Sequence, residues 1–116
     1  MKMQISEVAD RFSICKLKEE RTDLDMTEEL EAYRYELRDY QDIGQWVSEL
    51  YQINGNIWDL ESDIRKGKER ELGLEEVGRR ALLIRDWNNK RVATKNEITE
   101  HYNDGFTETK KNHASE

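Results

Sequence analysis

Residues 43–66 read IGQWVSELYQINGNIWDLESDIRK, and this stretch decides the fold. Ile43, Trp46, Leu50, Ile53, Ile57, Leu60 and Ile64 step by alternating threes and fours, the spacing of one face of an α-helix. A second line, Val47, Tyr51, Asn54, Trp58 and Glu61, lies beside the first. Asn54-Gly55-Asn56 is a turn signal in isolation. The heptad register nevertheless passes through Gly55 without a skip, whereas a turn resets the phase. The reading is therefore one continuous helix, with Gly55 placed where another element packs closely. Arg65 and Lys66 sit where a helix C-terminus favours cations, and Gly67 is a natural residue to end it.

Working outward, residues 68–73 read as a charged connector. A second long helix spans 74–102. Its first half is apolar on one face (Leu74, Val77, Ala81, Ile84), and the same face then passes through Asn88, Arg91 and Lys95 before Ile98. Asn103-Asp104-Gly105 stops it, and residues 103–116 form a polar tail. Upstream, a helix over 6–21 carries Ile5, Val8, Phe12 and Cys15 on one face, with Ser6 as its N-cap. Ile14 and Leu17 lie off that face, so this helix touches two neighbours. Thr27 caps a further helix, with Glu28 and Glu29 in its first turn and Leu30, Tyr33, Leu37 and Tyr40 at heptad spacing. The expectation is an all-α, bundle-like protein. It is a single helical domain over 1–102, with 43–66 and 74–102 packed as an antiparallel hairpin and two shorter helices added.

Composition agrees. Leu, Ile, Val and Phe make up 24 of 116 residues, just above the level at which highly charged chains stay disordered. There is no proline to interrupt a helix, and one cysteine excludes an intramolecular disulfide. No apolar run reaches the ~18 residues of a membrane span, and the N-terminus lacks a signal core, so the expected location is cytoplasmic. The net charge of −7 disfavours duplex nucleic acid as a partner.

Charge is unevenly placed. Residues 27–66 carry a net −6, and residues 67–102 a net +1. Asn54, Glu61, Asn88, Arg91 and Lys95 interrupt otherwise apolar faces. In an antiparallel hairpin, Glu61 would meet Arg91 or Lys95, and Asn54 would meet Asn88 or Asn96. Such a buried polar network fixes helix register, because an unpaired buried polar group costs ~1–3 kcal/mol.

No residue set supports nucleophilic catalysis. His101 and His113 stand at a helix end and in the tail, and Cys15 reads as a core residue. No cofactor or resident metal is expected. The acid pairs Glu28/Glu31 and Glu36/Asp39 have the spacing of a helical metal site. Leu74-Glu75-Glu76-Val77-Gly78 resembles a segment of the all-helical, magnesium-dependent nucleoside triphosphate pyrophosphohydrolases. That family continues with an aspartate ligand, where this chain has Arg79.

Val8-Ala9-Asp10-Arg11-Phe12-Ser13-Ile14, Ile53-Asn54-Gly55-Asn56-Ile57-Trp58-Asp59-Leu60-Glu61, and Asn88 through Arg91 to Lys95-Asn96-Glu97-Ile98 resemble a family of small, uncharacterised helical proteins of tailed phages and bacteria. The resemblance extends from Ile5 to Ile98. It implies an intracellular helical protein, and in a phage the host cytoplasm, without implying an activity. Three functions follow as expectations. The first is a non-catalytic accessory protein, of the inhibitor or anti-defence type, that binds a host protein through Glu28, Glu31 and Glu36. The second is sequestration of a phosphate-bearing signalling nucleotide by Arg79, Arg85, Arg91 and Lys95, with Trp87 stacking on a base. The third is the pyrophosphohydrolase. A homo-oligomer is expected, because the partner helices are too polar to cover Trp46, Tyr51 and Trp58.

Overall fold

The computed structural model describes residues 3–103 and is all-α. Its helices are α1 (Ile5–Arg21), α2 (Thr27–Leu37), α3 (Ile43–Arg65), α4 (Glu69–Leu72) and α5 (Leu74–Tyr102). The tail from residue 104 onward, including His113, lies outside the described residues.

Helix α3 runs unbroken through Gly55, as its register requires. A Cβ at Gly55 would stand 3.8 Å from Leu17 Cδ2 and 3.6 Å from an Arg21 guanidinium nitrogen, so α1 is the element packed against it. The chain leaves α3 at Gly67, whose φ of +76° suits a residue without a Cβ. The charged connector contains one helical turn, α4, and a second positive-φ glycine, Gly73, opens α5. α3 and α5 are antiparallel: Arg80 reaches Asp63, and the Thr94 hydroxyl donates to Glu49 at 3.3 Å.

Three boundaries differ from the sequence expectation. α1 begins before Ser6, with the amides of Glu7 and Val8 both donating to the Gln4 carbonyl at 3.0 Å. Ser6 is then a buried helical residue instead of a cap, because starting earlier carries Ile5 into the core. Thr27 is capped rather than capping: its amide and hydroxyl both donate to Asp25 Oδ1, at 3.0 and 2.6 Å. α2 ends at Leu37, and Asp42 takes a left-handed conformation, so Tyr40 belongs to the turn before α3. Tyr40 still reaches the core, meeting the Tyr102 ring edge-on at 5.3 Å.

The core lies at one end of the molecule. Ile5, Val8, Ala9, Phe12 and Cys15 of α1 pack with Leu30 and Leu37 of α2, Val47 and Leu50 of α3, and Ile98 of α5. Burial pushes the Cys15 thiol pKa up, which keeps it an unreactive core group. Beyond the reach of α1 and α2, the hairpin continues as a two-helix arm. There Leu60, Ile64, Val77 and Ile84 are only half buried, and Leu74 is 91% and Leu82 55% exposed.

Candidate functional site

A polar junction joins the three longest helices. Asp10 of α1 is fully buried, and its carboxylate accepts bonds from both Nε and a terminal nitrogen of Arg91 of α5. The Asn54 amide of α3 donates to Asp10 Oδ1 and to Ser13 Oγ, each at 2.9 Å. The Ser13 hydroxyl in turn donates to the Asp10 carbonyl at 2.7 Å. One turn away, Lys95 donates to Glu7 at 2.9 Å. Desolvation raises the Glu7 pKa, but hydrogen bonds from Lys95 and Arg11 outweigh it and hold the group below its ordinary value.

Asn54, Arg91 and Lys95 are thus members of a network, as the sequence suggests, but with different partners. The hairpin register explains why. Arg80 is level with Asp63 and Thr94 with Glu49. Glu61 therefore stands level with about residue 82, some nine residues or ~14 Å along α5 from Arg91. Asn54 is level with Asn88, yet its amide turns to α1. The acid that Arg91 needs comes from α1. Sequence reasoning missed Asp10 and Ser13, although a signal exists. Ser6, Asp10, Ser13 and Leu17 repeat at heptad spacing, and all four are buried.

The basic strip of α5 is bound up with its own acids. Arg79 donates to both carboxylate oxygens of Glu76, at 2.8 and 2.7 Å, and Arg80 donates to the same group at 2.8 Å. These bonds from Arg79 and Arg80 hold the Glu76 pKa down at about 2. Arg85 lies 3.6 Å from Asp86, and the Lys90 ammonium sits 4.3 Å over the Trp87 ring. Arg79, Arg85, Trp87, Arg91 and Lys95 do not converge within one chain: Arg91 and Lys95 face α1, while Arg79 and Arg85 lie on the arm. Trp87 lines a shallow cavity of ~420 Å³, where Glu49 and Glu97 oppose Lys90.

The outer face of α2 has the opposite character. Leu30 and Leu37 anchor the helix to α1. Glu28, Glu29, Glu31, Tyr35 and Glu36 are exposed. The cation of α2 and the one that follows the helix are turned to rings: Arg34 stands 5.5 Å from the Phe12 centroid and Arg38 3.6 Å from that of Tyr35. Among the described residues no cation forms an ion pair with Glu28, Glu31 or Glu36, so this ridge keeps its negative charge. Asp25, at its start, is held below its ordinary pKa by bonds from Thr27.

Among the described residues no three His, Cys, Asp or Glu side chains converge to hold a metal ion. His101 is exposed and packs edge-on against Tyr102, at 4.6 Å. No helix of the described residues is long and apolar enough to cross a membrane. Comparison with family models, with curated proteins and with solved structures found no match for this chain.

Proposed function

We propose that this chain is a non-catalytic, phage-type accessory protein that acts by stoichiometric binding of a host protein, with the acidic outer face of α2 as its working surface. One observation carries the reading: the contrast between α2 and α5. The carboxylates of Glu28, Glu31 and Glu36 are exposed and unneutralised. The α5 bases that would grip a phosphate are engaged by Glu76, Asp86, Asp10 and Glu7. An unpaired row of like charge attracts a basic partner and speeds encounter. Bases already paired must give up those partners before binding a nucleotide.

A second copy of the chain is the proposed cover for the two-helix arm. Leu74 and Leu82 are exposed there beside half-buried Leu72, Val77 and Ile84, an arrangement monomers avoid. Such a dimer leaves α2 free.

Native mass spectrometry of the protein recovered from a bacterial host tests the proposal. The expected result is a complex with a host protein at a fixed ratio to this chain, lost on charge reversal by Glu28→Lys, Glu31→Lys and Glu36→Lys. A co-purifying nucleotide that survives that reversal would overturn it.

A further inference from the structure

A cavity of ~650 Å³ opens between α1, the C-terminal end of α2 and the start of α3, and none of the residues of the Asp10 junction lines it. Its size falls within the usual range for small-molecule sites, ~300–1,000 Å³. Phe12, Leu37 and Val47 give it an apolar floor. Its charged lining is Lys16, Arg34 and Arg38 against one acid, Glu20. The lining is thus net positive, in a chain whose overall charge is −7.

Two of these cations share a ring. Lys16 Nζ stands 5.7 Å from the Phe12 centroid and Arg34 Cζ 5.5 Å from it, approaching from different helices. Lys16 Nζ is also 5.7 Å from the Tyr51 ring. Neither Lys16 nor Arg34 forms an ion pair among the described residues. The acid that could neutralise Lys16, Glu20, accepts the Tyr51 hydroxyl instead. Each cation is attracted to the ring, but the two like charges repel each other with no acid paired to either. They form a site that an anion with a flat apolar body completes: the anion bridges Lys16 and Arg34, and the body lies in the cavity beside Tyr51.

We propose that this cavity binds a small organic anion with an aromatic body, such as an aryl carboxylate. The site is separate from the α2 ridge, so the inference does not depend on the partner-binding reading.

Naphthoate and its uncharged amide, naphthamide, distinguish the outcomes when titrated separately into the full chain and followed by amide NMR. Naphthoate is expected to bind at least tenfold more tightly than naphthamide, with the largest shifts at Phe12, Lys16, Gly44 and Tyr51. The double variant Lys16→Met, Arg34→Met is expected to remove that preference and leave naphthamide unchanged. Gly44 lines the cavity, and a Cβ there meets nothing within 4 Å, so Gly44→Phe should block both ligands without disturbing the core. Equal affinity for the two ligands in the unaltered chain overturns the proposal. So do naphthoate shifts centred on the α5 strip, or a preference that survives in the double variant.

Discussion

Replacing Arg91 with Met should destabilise the protein by about 3 kcal/mol. Asp10 is fully buried, while the Arg91 side chain is 30% exposed. Removing one partner of a buried ion pair costs ~3–5 kcal/mol, because the remaining charge is left without compensation. The Asn54 amide still donates to Asp10 after the substitution, which favours the lower end. A domain of this size loses ~4–8 °C in Tm per kcal/mol, so the midpoint should fall by about 12 °C or more. Arg91 makes other contacts as well. The pairwise contribution therefore needs a double-mutant cycle of Asp10→Asn, Arg91→Met and the pair, followed by urea unfolding with circular dichroism. A coupling of ~2 kcal/mol or more is expected. A coupling below ~0.5 kcal/mol, the value of an exposed ion pair, would refute the junction as the lock between α1 and α5.

Gly55→Ala should stabilise the protein by ~0.5–1 kcal/mol, since Ala is the better helix former and the new methyl meets its neighbours at ordinary contact distance. Thermal melting checks this, and a lower Tm would show that α1 cannot yield there. Asn54→Ala should cost ~1–3 kcal/mol by leaving the Asp10 carboxylate short of a donor. The Glu76 pKa of about 2 lies below the ordinary 4.5, so its contribution is complete above about pH 4.5 and is lost as the pH falls towards 2. The protection of amides in the first turns of α5, taken relative to the intrinsic exchange rate at each pH, should fall over that interval, and protection unchanged down to pH 2 would contradict the assignment. Leu74→Lys with Leu82→Lys should convert an oligomer to a 13.9 kDa particle in sedimentation, without loss of helicity.

The hairpin was legible because α3 is apolar at every heptad step, and no other secondary structure accommodates that period over so many residues. The glycine within it does not break the helix, because the space it vacates is used by Leu17. The junction was half legible. Asn54, Arg91 and Lys95 stood out as polar residues on apolar faces. Asp10 did not, since in a chain with 26 acids a helical aspartate reads as surface. Its burial follows from α1 packing on two faces, which the pattern 6, 10, 13, 17 encodes but which small polar residues disguise. The end of α2 is hidden in the sequence because Tyr40 satisfies the heptad by spacing while reaching the core from a turn. The cavity between α1, α2 and α3 draws on residues 16, 34 and 51, which only the packing brings together.

The working surface itself is best tested by the affinity of the captured host protein for this chain, measured by titration calorimetry at several salt concentrations. The account predicts one binding event per chain that weakens steeply with salt, and at least tenfold weaker binding after reversal at Glu28, Glu31 and Glu36. An affinity indifferent to salt and to those three reversals would contradict it.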